Sequence, residues 1–379
     1  MSRRLAPAVF FSLASAAASG ACAQPMPSAP PAASTPEPKS PAVGVPDARA
    51  GDANATDAAT SDAAAPSVGP DDPMDLHRMA PEELASLMTL PPKPDGSPGL
   101  PGPFLKWVFE PTPGRFNQGN KARARHEIGK RACEANLRKS GVVIQTPEQR
   151  ARCGAENMVP VWRGGDPQKG AFCIDTFEFP NRPCELPMVW GSPSQAVKIC
   201  AAQGKRLCAQ DEWNLACGGD PAGGPPTVYA YGNDLDLDAC NTQKPHDYKD
   251  GGPEWTCLVR TAQTAWATCA TETEPAGSFP RCRSRFGVFD QHGNVAEMMT
   301  RKAGHSDPTS ASGTVTQLKG SAFFYVDVAR QHDRPHPKDA RHDTYPDHCN
   351  YDPRWHVEPI ENAFHVNYHL GFRCCKSLP

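Results

Sequence analysis

The sequence predicts a loop-rich α+β domain, cross-linked by disulfides and carried on a long unstructured leader. Three observations point there. The 379-residue chain holds 15 cysteines. A strand pattern is followed by two short, capped helix patterns, and then by some 160 residues with no lasting periodicity. A Pro- and Ala-rich stretch without aromatic residues precedes all of this.

The N-terminus reads as an export signal. Arg3 and Arg4 precede an apolar run, Leu5 to Ala18, that is too short to span a bilayer. Ala21-Cys22-Ala23 fits an A-x-A cleavage site, giving a signal peptide over residues 1–23. The rival reading makes Cys22 a lipidated residue, with a membrane reached only through that lipid. Either way the chain is expected outside the cytosol, periplasmic or extracellular. Without Cys22, 14 cysteines remain, an even number suited to pairing in an oxidising compartment. Zinc thiolates are disfavoured because no C-x2-C pairs recur at zinc-site spacing. The net charge of −3 offers no argument for nucleic acid as a partner.

Residues 24–103 are too poor in apolar side chains to offset ordering entropy and read as a disordered linker. A short helix opening at Ala80-Pro81-Glu82 interrupts it. Residues 104–157 read as a small helical extension. It has a charged helix over Lys121–Lys139 and a second helix starting at Thr146-Pro147-Glu148. Cys133 and Cys153 either join the two helices or bond into the main domain.

The main domain is expected over 158–379. Phe172 to Glu178 reads as a strand. Ser192 or Ser194 caps a helix through Cys200 that ends at Gly204. Glu212 to Cys217 forms another, stopped by Gly218-Gly219. The Gly-, Pro- and Asn-rich remainder reads as loops held by cross-links.

Four segments, in order, resemble the formylglycine-generating enzyme and sulfatase-modifying-factor family. They are Phe172–Asn181, the Gly-Lys-Arg-Leu-Cys-Ala-Gln-Asp-Glu-Trp run of 204–213, Gly293-Asn294-Val295-Ala296-Glu297-Met298, and Gly371-Phe372-Arg373-Cys374. The second has Cys208 and Ala209 where the family has Pro and Thr. The resemblance implies the formylglycine-generating-enzyme fold, a compact α+β fold related to C-type lectins with little regular secondary structure. It also implies a groove able to hold a protein or small-molecule ligand.

The resemblance implies an oxygen-dependent oxidoreductase in which two cysteines, five positions apart, bind copper(I) and convert a substrate cysteine to formylglycine. Soft thiolates select copper(I). Here the matching places are taken by Tyr325 and Arg330, and no cysteine lies between Cys282 and Cys349. The family also implies disulfides Cys200–Cys374 and Cys217–Cys349. Each closes a long loop and is worth on the order of 4 kcal/mol. It implies a calcium site of Asp290, Gly293, Val295 and Glu297, hard oxygen donors on one tight turn. The plain alternative is a β-turn with a capping Asp and a salt-bridged Glu. A second calcium site would begin at Asn241 and Thr242.

The stretch from Ala329 to Asn367 departs from the family. It carries His332, His336, His342, His348, His356 and His365, with His369 just beyond, and Asp333, Asp339, Asp343, Asp347 and Asp352 among them. These residue types suit zinc, iron or copper(II), but also describe a solvated polar loop. Three readings stand. The first is a non-catalytic binding or scaffolding module. The second is an oxidoreductase with another metal, such as non-haem iron. The third is a formylglycine-generating enzyme whose thiols lie elsewhere, at Cys349 with Cys374 or Cys375.

Overall fold

The structure is a computed structural model. It describes residues 73, 107–244, 261–302, 313–324, 348–351, 357–361 and 363–378, which are the residues meant by "described" below. The signal segment, nearly all of the linker, and the helix expected near Ala80 lie outside them.

Helix α1, Lys130–Ser140, covers only the second half of the helix expected over Lys121–Lys139. The first half makes one isolated turn, with Ala124 N donating to Asn120 O, and is then drawn away by tertiary bonds. Arg125 N donates to Thr271 O. The backbone amides of Glu127 and Ile128 donate to the Glu274 carboxylate. These bonds satisfy the segment's backbone groups outside a helix, and propensity yields to them. Helix α2, Pro147–Cys153, starts as expected, with Thr146 and Gln149 forming a capping box.

Strand β1, Met158–Trp162, pairs antiparallel with β2, Gly170–Asp175. Helix α3, Pro193–Ala202, is capped by Ser192, not Ser194, with Gln195 closing the box. Strand β3, Arg206–Leu207, leads into α4, Gln210–Gly218. Ala209 cannot supply a capping oxygen, but Glu212 still accepts its backbone N–H at 2.9 Å. Half of the box therefore survives, and the carboxylate also favours the helix N-terminus. Helix α5 is Ala262–Thr268. Strands β4, Ala296–Lys302, and β5, Thr314–Lys319, pair antiparallel. β6, Leu370–Phe372, joins β4 in parallel, and β7 is Cys374–Ser377.

Two sheets result, ordered β1-β2-β7-β3 and β5-β4-β6. Only Arg373 separates β6 from β7, so the closing Gly-Phe-Arg-Cys run passes from one sheet to the other. The largest apolar cluster joins Phe116, Phe179 and Phe372, whose rings lie 4.6–6.5 Å apart, to Trp190, Ile199 and Leu370. Val108, Phe109 and Phe116 belong to it, so the segment before α1 is part of this core. None of the described helices is long and apolar enough to cross a membrane.

Six disulfides join pairs of described residues: Cys133–Cys184, Cys153–Cys173, Cys200–Cys374, Cys208–Cys375, Cys217–Cys349 and Cys240–Cys282. Cys269 is also disulfide-bonded. The pairing of Cys133 with Cys153 is therefore incorrect. Each ties its own helix to the main domain, because Leu137 of α1 packs with Phe177 and Phe289 while Cys153 at the end of α2 packs with Met158 and Cys173. Cys374 and Cys375, adjacent on β7, face opposite sides of the strand and reach α3 and the β3–α4 turn.

Candidate functional site

The turn that precedes β4 brings the charged groups together. Gly293 lies at φ +75°, and a Cβ there would meet the Asn241 carbonyl at 2.2 Å, so only glycine fits. Asn294 follows at φ +58°. Its side chain donates to Glu178 and accepts from Glu274 N and Asn241 Nδ2. Glu178, from the loop after β2, also accepts Val295 N at 3.0 Å. Asp290 accepts Gly277 N at 2.7 Å.

Arg373 is fully buried and uses its whole guanidinium. Nε and Nη2 donate to the two oxygens of Glu297, each at 2.6 Å. The remaining donors reach the carbonyls of Asp175, Thr176 and Phe289. Trp213 Nε1 donates to the same Glu297 at 3.0 Å, which links the Glu-Trp pair of α4 to the centre. Burial, and then the charges of Asp290 and Glu297, push the Glu178 carboxyl well above its ordinary range. Burial first also raises Asp290, to about 7.

Of the four residues named for calcium, Glu297 is already committed in this structure. Both Glu297 oxygens accept from Arg373, which already supplies the opposing charge. Among the described residues, the one trio of ligand atoms from His, Cys, Asp or Glu within 4.8 Å of one another is Cys217, His292 and Cys349. The salt-bridged-Glu alternative matches the geometry. The two residues named for a second site bond within the protein. Asn241 Nδ2 donates to Glu272 O and Asn294 Oδ1, and Thr242 Oγ1 donates to Leu237 O.

The Cys217–His292–Cys349 trio does not fit a metal. The sulfurs are bonded to each other at 2.01 Å and are not thiolates. His292 Nε2 accepts Ala230 N at 3.0 Å. Its ring packs edge-on to Trp213, Tyr229 and Tyr231. Sequence reasoning missed His292, although its place directly before the Gly-Asn-Val turn was a signal. Lys319 is buried over the Trp213 ring and donates to Cys349 O at 3.1 Å.

Tyr325 and Arg330 lie outside the described residues, as do His332, His336, His342, His356 and the five aspartates among them. Of the described histidines from this part of the chain, His348 packs on Tyr351 and His369 on Phe324 and Tyr368. Burial lowers the pKa of His365. The alternative thiols at Cys349, Cys374 and Cys375 are excluded in this structure, since all three are in disulfides.

A cavity of about 420 Å³ opens elsewhere, between the end of β1, α4 and the loop after it. Trp162, Asp211, Asn214 and Asp220 line it, with Asn350 from the loop after Cys349.

The sulfatase-modifying factor enzyme 1-like domain family matches residues 173–378, more than half of the chain. No curated protein matches. Among solved structures, the chain is similar to CarF at 13% identity, over 55% of this chain and 87% of that one, with a TM-score of 0.32. It is similar to PvdO from Pseudomonas aeruginosa at 16% identity, over 55% and 82%, with a TM-score of 0.32. The family match agrees with the four motifs, and the chain belongs to the sulfatase-modifying factor enzyme 1-like domain family.

Proposed function

We propose that this chain is an exported, non-catalytic binding or scaffolding module of its family, holding a protein or small-molecule ligand. One observation carries the reading. All 13 described cysteines are disulfide-bonded, and on the resemblance to the family Tyr325 and Arg330 stand where its copper pair is expected. A copper(I) dithiolate needs two free sulfurs. Outside the described residues only Cys22 and Cys257 remain, and Cys22 falls within the proposed export signal. The same cross-link density supports export, because such frameworks persist in oxidising compartments. The membrane enters only through a lipid on Cys22, and no nucleic-acid partner is proposed.

The test is to purify the protein from an oxidising host and measure copper, iron, calcium and free thiols on one sample. The same preparation is then offered a C-x-P-x-R peptide in air. No free thiol, no stoichiometric transition metal and no aldehyde product are expected. Two thiols with bound copper, or oxygen-dependent conversion of the peptide, would overturn the reading. Bound iron with turnover would favour a metal-dependent oxidoreductase instead.

A further inference from the structure

The cavity beside α4 has a composition that selects a ligand class. Trp162 forms its apolar wall. The indole is fixed twice: Nε1 donates to Pro221 O at 2.8 Å, and the ring stands edge-on to Phe286 at 5.1 Å. The opposite wall is equally constrained. Arg285 donates to Gly218 O, to Pro225 O and to Asp220. Asp220 in turn accepts Ala222 N at 2.8 Å, which holds the loop in a tight turn. The two walls meet where Gly165 passes Ala222, so closely that a Cβ at Gly165 would lie 2.7 Å from the Ala222 carbonyl. The space is therefore formed before any ligand enters, which lowers the entropic cost of binding.

The charges on the wall cancel. Arg163 lies 3.8 Å from Asp211, and Asp220 is paired with Arg285 at 2.7 Å. An anion or a cation entering the cavity meets no net opposite charge. What remains is a set of planar polar groups around an indole: Asp211, Asp220, Asn214, Asn350 and Arg163. Carboxylates accept at two oxygens, and amides donate and accept side by side, a match for adjacent hydroxyl groups. Asn214 and Asn350 add two such amides to the lining. The volume of about 420 Å³ falls in the usual range of small-ligand sites, roughly 300–1,000 Å³.

We propose that this cavity binds a neutral sugar ring, with its apolar face on Trp162 and its hydroxyls on Asn214, Asn350 and the paired Asp211 and Asp220. The inference rests on the binding-module reading and gives that reading a site and a ligand class.

The full chain is titrated with the methyl glycosides of glucose, galactose, mannose and N-acetylglucosamine and with their β-linked disaccharides, using saturation-transfer NMR and calorimetry. Choline and inorganic phosphate serve as charged controls. At least one saccharide is expected to bind with Kd of about 1 mM or tighter, and neither control to compete. Trp162→Ala is expected to abolish binding. Because that variant removes a residue packed on the core, Asn350→Ala and Asn214→Ala are measured beside it, each expected to weaken binding at least tenfold. No binding by any saccharide, binding unchanged in both Asn variants, or displacement by choline or phosphate overturns the site. These outcomes are independent of the thiol, metal and peptide-oxidation measurements, so the site and the binding-module reading fail separately.

Discussion

Arg373 and Glu297 form a bidentate ion pair with no solvent-exposed surface on either side chain. Arg373 follows β6 directly, and Glu297 stands on β4, the strand β6 pairs with. Through the carbonyls of Asp175, Thr176 and Phe289, the same guanidinium also fixes the end of β2 and the loop before the Gly-Asn-Val turn. Removing one partner leaves an uncompensated buried charge and typically costs 3–5 kcal/mol.

Glu297→Gln is accordingly expected to lower stability by about 3 kcal/mol or more. Arg373→Met should cost at least as much, because three carbonyls lose a donor as well. Urea unfolding of the intact disulfide form measures both. A loss below about 1 kcal/mol for either variant would show that the pair does not hold the sheets together.

Calcium removal is expected to change little. Arg373 already balances Glu297, so excess EGTA should leave the thermal midpoint within about 1 °C of its starting value. A ligand that bound only the folded state at a hundred times its Kd would contribute about 2.7 kcal/mol, a shift of several degrees. A clear fall in the midpoint, reversed by calcium, would restore a calcium site to the turn.

His126 sets an acid limit on stability. Its Nδ1 lies against the Thr273 carbonyl and must carry the proton to donate there. Burial, reinforced by Lys244, lowers its pKa from 6.5 to about 4. The unfolded chain therefore binds this proton more readily. The histidine's contribution is present in full above about pH 6.5 and is lost as pH falls toward 4. A shift of this size corresponds to roughly 3 kcal/mol. His126→Gln should flatten the stability profile between pH 6.5 and 4 while costing stability at pH 7. An unchanged slope would place the acid sensitivity elsewhere.

The disulfide pairing can be read directly. A non-reducing peptide map should yield Cys133 linked to Cys184 and Cys153 linked to Cys173, and no Cys133–Cys153 product. Replacing Cys208 and Cys375 together by Ala opens a 167-residue separation. It should cost on the order of 5 kcal/mol in the chain-entropy model. A cost near zero would mean that packing between β3 and β7 alone holds the register.

Much of the local structure was legible in the residues. Thr146 and Ser192 announce their helices through capping boxes, because the cap is a bond between neighbours in sequence. The Gly293 turn was legible in the same way, since its backbone geometry admits only glycine. The four motifs also marked the family, because each sits at a point where backbone or packing leaves little choice of residue.

Pairing and charge balance were decided by tertiary structure. Sequence left Cys133 and Cys153 either paired or bonded into the main domain, and the structure takes the second course, because Leu137 and Met158 bury against different parts of the domain. The helix expected from Lys121 gives way because Glu274, some 150 positions away, accepts its amides. That Arg373 occupies both oxygens of Glu297 is likewise a contact between distant residues, which nothing local reveals. The cavity beside Trp162 has no sequence signature, as its walls come from β1, α4, a glycine loop and the segment after Cys349. What the sequence determined by itself was the set of local bonds and the family. Which distant groups neutralise, cross-link or enclose one another depends on how apolar faces at long separation bury together, and only the folded structure decides that.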